Sequence, residues 1–151
     1  MLTREYLNSA LVGVIAGFTD ADTQILEADG LDAILELLKS LRSVTFPAAI
    51  LESRSSGAIQ LVEGPLDTYT ESIWIMGQFG RDESEADLYR STFTLAKAVL
   101  AKLLDDAKKG ASALEGWDWQ RTTYMKRYGG QNARGWELVL TFRDNISLLM
   151  G

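Results

Sequence analysis

Apolar positions fall first at helical spacing, then in strand-like alternation, and the two periods then repeat. Thr3 is placed to cap a first helix, with Leu7, Leu11, Val14, Ile15 and Phe18 at helical spacing behind it. Gly13 and Gly17 weaken that helix, because glycine costs about 1 kcal/mol against alanine in a helix interior. Thr19–Thr23 is a polar break, and Gln24–Glu27 fits either a short strand or a loop. A second helix is expected from Asp29, with Asp29 and Asp32 spaced as a cap and its N3 partner. Leu31, Ile34, Leu35, Leu38 and Leu41 form its apolar stripe, and Lys39 and Arg42 sit at its basic end. Pro47 ends any helical tendency.

Beyond Pro47 the period becomes two. Ala48–Glu52 predicts a strand, Ser53–Gly57 a turn, and Ala58–Glu63 the hairpin partner, followed by the break Gly64-Pro65. Asp67–Gln78 predicts a third strand. Its end, Ile73-Trp74-Ile75-Met76, is apolar on both faces, as in a strand covered twice. A long helix is expected from Asp82 to Lys109, acidic in its first turn and basic in its last, with Gly110 past its end. Leu88, Phe93, Ala96, Val99, Leu100, Leu103 and Leu104 give it an apolar face wide enough to cover a sheet. Trp117–Tyr128 and Gly135–Arg143 predict two more strands joined by Gly129–Arg134. In the last, Trp136, Leu138, Leu140 and Phe142 alternate with Glu137, Thr141 and Arg143. The expected fold is one α+β domain, a mainly antiparallel sheet of about five strands. The long helix and the N-terminal helices are expected on one side of it.

Composition narrows the chemistry. The 151 residues contain no His and no Cys. That removes thiol and imidazole catalysis, His–Cys metal sites, haem ligation and disulfides. The net charge of −6 disfavours nucleic acid except through a local basic patch. Arg121, Lys126, Arg127 and Arg134, interleaved with Tyr124 and Tyr128, are the densest such patch, and they fit the solvated face of a strand pair. Ala10–Phe18 is too short to span a bilayer, and Arg4 ahead of it is offset by Glu5, unlike a secretion signal.

Apparent motifs fail on their requirements. Gly130–Gly135 has phosphate-loop glycine spacing, but Trp136 and Glu137 stand where Lys and Ser or Thr are needed. Asp20-Ala21-Asp22 opens like a calcium loop, but Ile25 and Leu31 occupy its glycine and glutamate positions. Glu52, Glu63, Glu71 and Asp118 could supply paired carboxylates, yet no spacing selects a pair, and each fits a solvent-facing strand position. Asp105 and Asp106, with Lys97 and Lys102, fit a helix surface. No catalytic residue, cofactor or metal is expected.

The aromatic residues say more. Trp117, Trp119, Tyr124, Tyr128 and Trp136 crowd the last quarter of the chain. On one continuous strand, Trp117 and Trp119 share a face and Tyr124 and Tyr128 share the opposite one. Either the sheet is covered twice or one aromatic face meets a partner. Trp117, Trp119, Tyr124 and Tyr128 are therefore the candidate interaction surface.

Four stretches in this order resemble bacteriophage tail-completion proteins, the tail terminators and neck proteins of long-tailed phages and prophages. They are the strand Phe46–Glu52 after the N-terminal helices, the strand ending Ile73–Met76, the long helix after an acidic turn, and the closing strand Gly135–Phe142. The two N-terminal helices depart from the family's usual one. The resemblance implies a non-enzymatic structural subunit that self-associates into a ring and contacts other tail proteins. It implies no sequence-specific nucleic-acid binding and no membrane, with the protein in the host cytoplasm during assembly and then in the virion. Two other classes stay open: a small adaptor with an aromatic partner face, and a carboxylate- or metal-dependent enzyme, which requires several acids to converge in one cleft.

Overall fold

The computed structural model describes residues 1–40, 42–60, 66–80 and 83–145. Leu41, Glu63, Gly64-Pro65 and Asp82 lie outside the described residues. Helix α1 spans Arg4–Leu11, and Thr3 caps it, its Oγ1 accepting the Tyr6 N–H at 3.1 Å. It stops well short of Phe18. Gly13 and Gly17 adopt φ of 74° and 99°, and the Gly13 N–H donates to the Phe18 carbonyl. That turn buries Phe18 but leaves Val14 exposed. A single-turn helix α2, Ala21–Gln24, leads into strand β1, Ile25–Glu27. Helix α3, Leu31–Lys39, is capped by Gly30 at φ 87° rather than by Asp29. Ile34 and Leu38 are its buried residues, and Leu31, expected in the stripe, is exposed.

Strand β2 runs unbroken over Ala48–Gln60 and pairs with β3, Leu66–Gln78. The turn expected at Ser53–Gly57 is therefore absent. From Glu52 to Ser56 the chain advances four residues while its partners advance two, Ser72 to Thr70. A bulge absorbs the polar run, and the ladder to β3 overrides its turn propensity. Helix α4, Glu85–Lys108, is capped by the Ser84 hydroxyl, and Gly110 follows it at φ 84°. Strand β4, Thr123–Tyr128, and β5, Ala133–Asn145, complete the sheet. Among the described residues it has five strands in the order β1-β2-β3-β5-β4, antiparallel except for β1 against β2.

The fold is α+β, and its helices cover both faces of the sheet rather than one. On one side α1 and α4 pack Leu7, Leu11, Ala96, Val99 and Leu103 against Ile73, Ile75, Leu138, Leu140 and Phe142. On the other, α3 packs Ile34 and Leu38 against Ala48, Ile50, Trp74 and Met76. This explains the doubly apolar run Ile73–Met76: alternate residues enter different cores. The crossover between the parallel strands β1 and β2 carries α3, which places it on its own side.

α1 is tied to α4 by a part-buried polar contact at the margin of the larger core. The Tyr6 hydroxyl donates to Asp106 Oδ2 at 2.6 Å, and Lys102 Nζ donates to Asp106 Oδ1 at 2.8 Å. Burial, reinforced by the hydrogen bond to the Asp106 carboxylate, pushes the Tyr6 hydroxyl well above the usual tyrosine range. Burial alone would raise Asp106, but the hydrogen bonds from Lys102 and Tyr6 outweigh it and hold the carboxyl below its ordinary value.

Candidate functional site

The predicted strand Trp117–Tyr128 is two pieces. Trp119–Arg121 forms a short 3₁₀ turn, and β4 begins only at Thr123. Strand alternation therefore does not apply to Trp117 and Trp119. Trp117 is buried, bridges to Phe142, and donates its indole N–H to Thr122 Oγ1 at 3.0 Å. Trp119 is exposed and meets it edge-on, with ring centroids 6.4 Å apart. Trp117 thus serves the core, and Trp119 helps line a small apolar hollow with Leu100, Leu104 and Thr122.

Tyr124 and Tyr128 do share a face. The register pairs Tyr124 with Leu138, Lys126 with Trp136 and Tyr128 with Arg134, and directly paired residues point the same way. Leu138 belongs to the core under α4, so Tyr124, Lys126 and Tyr128 lie on the α4 side. Trp117 lies there too, so the two aromatic pairs are not on opposite faces. Tyr124 is 56% and Tyr128 61% exposed.

Around them is a continuous aromatic surface. The Tyr124 ring is 5.2 Å from Phe93 and 5.8 Å from Trp136, and Tyr89 meets Trp136 edge-on at 6.2 Å. Trp136 Nε1 is fixed by the Tyr89 carbonyl at 2.8 Å. Lys126 Nζ lies 4.5 Å from the Tyr89 ring centroid, a cation–π distance. The Arg134 guanidinium lies 4.1 Å from the Phe79 ring and 4.0 Å from the Tyr128 ring. A shallow groove of about 270 Å³ runs between Tyr89, Arg90 and Phe93 on α4 and Lys126 and Trp136 on the sheet. Tyr89 was not singled out in the sequence, although its i, i+4 spacing to Phe93 puts both on one side of α4.

Among the described residues, the candidate carboxylates Glu52, Glu71 and Asp118 are not brought together. Glu52 and Glu71 lie on opposite faces of the sheet. Glu71 is fully buried on the side of α1 and α4, where it accepts the Leu2 N–H at 2.7 Å, and it is not solvent-facing. Asp118 ion-pairs with Arg121 and Arg143. Glu137, expected on the polar face, is buried, accepting from Ser72 Oγ at 2.6 Å and from Arg127 Nε at 2.7 Å. Glu52 lies near it. Burial first, and the Glu137 charge second, raise the Glu52 carboxyl, while the Gly30 N–H opposes the rise. Among the described residues no group of three or more His, Cys, Asp or Glu side chains could hold a metal ion. Asp20 caps α2 instead of opening a calcium loop, and Gly129–Ala133 closes the β4–β5 hairpin instead of cradling phosphate.

No family model, curated protein or solved structure matches this chain. Among the described residues no helix is long and apolar enough to cross a membrane.

Proposed function

We propose that this protein is a non-enzymatic assembly subunit that self-associates through the outer edge of β4. In this reading it works as its resemblance to tail-completion proteins implies, in a ring at a phage tail tube or neck. The observation that carries the reading is β4 itself. Among the described residues it is the last strand of the sheet, paired only with β5, and five of its six residues are exposed. Tyr124, Met125 and Tyr128 are among the few large apolar side chains open to solvent. An unpaired strand edge is a template for another chain, and exposed tyrosines are favoured anchors at interfaces.

The test is absolute mass by light scattering across a concentration series, on the native chain and on Tyr124→Ser/Tyr128→Ser. The native chain forms a closed oligomer. The double variant, still folded by circular dichroism, dissociates at higher concentration. An unchanged mass in the variant refutes β4 as the joining surface. The groove between α4 and β5 favours one other reading, an adaptor that receives a different protein on the same aromatic face. A native chain that stays monomeric at every concentration supports that reading over the first.

A further inference from the structure

The two ends of the sheet carry opposite charge. Residues 20–38 include six acids, Asp20, Asp22, Glu27, Asp29, Asp32 and Glu36, and no base. Residues 119–136 include four bases and no acid; Arg121, Arg127 and Arg134 pair with Asp118, Glu137 and Glu85, which leaves Lys126 as the cation this edge offers. The strand order places these segments at opposite edges, β1 at one and β4 at the other. Both are accessible: Asp20, Asp22, Glu27, Asp29 and Asp32 are exposed, as is Lys126. Among the described residues, none of these six makes an ion pair. Lys126 is held against the rings of Tyr89 and Trp136 instead.

We infer that β4 of one copy docks on the acidic edge of a second copy of this chain, so that assembly runs head to tail. The inference rests on the assembly reading above and names the surface that β4 meets. The acidic edge has the shape for it. Glu27, Ala28, Asp29 and Ser53 line a hollow of about 230 Å³, with two carboxylates to receive the Lys126 ammonium. Leu31, two residues beyond Asp29, is half exposed and offers apolar surface to a tyrosine. Arg4 Nε already donates to the Ile25 carbonyl at 2.6 Å, so that carbonyl of β1 is taken before another strand could reach it. The alternative self-pairing, β4 against β4, brings Lys126 of one copy towards Lys126 of the other, while Arg127 is already paired with Glu137. Like charges across an interface oppose it. A contact between two different surfaces repeats from copy to copy, and it closes into a ring when the rotation allows.

The test uses two charge reversals at exposed positions, Lys126→Glu and Glu27→Lys/Asp29→Lys, with thermal melts confirming that both remain folded. Each alone weakens self-association on the order of a hundred-fold. Each keeps one intact edge, and the two reversed edges are again opposite in charge, so an equimolar mixture recovers assembly that neither variant shows alone. Native assembly also weakens as salt rises. If either reversal perturbs folding, Glu27→Gln/Asp29→Asn and Lys126→Gln replace it, with the same direction and a smaller effect. Glu27→Lys/Asp29→Lys that assembles like the native chain overturns the inference. If Tyr124→Ser/Tyr128→Ser still dissociates in that case, only the acidic partner surface is lost. If the tyrosine variant also assembles normally, or the native chain is monomeric throughout, the assembly reading fails with it.

Discussion

Replacing Asp106 with Asn tests how firmly α1 is held to α4. The carboxylate is largely buried, its side chain 16% exposed, and it is bound by Tyr6 and Lys102 at 2.6 and 2.8 Å. A hydrogen bond to a charged group contributes about 1.5–3 kcal/mol, against about 1 kcal/mol for a neutral one. Asn keeps an oxygen for Tyr6 but loses the charge, so that bond weakens by roughly 1 kcal/mol. The partly exposed pair with Lys102 contributes at most about 1 kcal/mol more. Asp106→Asn should therefore cost about 1.5–2 kcal/mol near pH 7, or roughly 3–8 °C in Tm for a chain of this size. The pH dependence has a definite sign. The folded carboxyl titrates below its ordinary value of 3.8, so its contribution is complete above that value and is lost as pH falls through the folded one. Urea denaturation of both proteins from pH 7 to pH 2.5 measures the difference, in which the other carboxylates cancel. A gap that is steady above about pH 5 and closes below pH 4 is expected. A gap that persists undiminished at the acid end refutes the assignment of the stabilisation to the Asp106 charge.

Two further substitutions probe the sheet. A Cβ at Gly135 would lie only 2.9 Å from both the Ile75 carbonyl carbon and the Met76 Cα, atoms of the central strand that cannot swing aside. Gly135→Ala should cost about 3 kcal/mol by chemical denaturation, and a loss under about 1 kcal/mol would show that the β3–β5 spacing relaxes easily. Arg127→Leu leaves the buried Glu137 carboxylate with Ser72 alone and should also cost about 3 kcal/mol. Adding Glu137→Gln should recover part of that loss, whereas strictly additive costs would mean that the pair is not coupled.

Local pattern was enough for elements whose partners did not matter to their identity. The face of α4, with acid at its start and base and glycine at its end, places that helix within three residues of the observed Glu85–Lys108. Alternation in β5 marks Leu138, Leu140 and Phe142 as core, and all three are buried. Elsewhere a distant segment overruled the local signal. Ser53–Gly57 has turn composition, yet a thirteen-residue partner strand carries it through as a bulge. β1 is three residues long, too short for its pattern to decide between strand and loop, and β2 alongside makes it a strand. The candidate site divides in the same way. Tyr124 and Tyr128 share a face because they sit four residues apart on a strand, whereas Trp117 stands in an isolated bridge to Phe142 and Trp119 in a 3₁₀ turn ahead of that strand.

What the sequence alone determined, then, is which residues share a face of each element, because backbone geometry sets the periods of helix and strand. It also determined the absence of His and Cys. Only the tertiary structure decided what covers each face. It put α3 on the side away from α4. It also gathered Tyr89, Phe93, Lys126 and Trp136 into one groove and buried Glu71 and Glu137. The reason is that a face is a local property but its neighbour is not. Glu137 finds Ser72 across 65 residues of chain and Glu71 finds Leu2 across 69, and no periodicity records such meetings.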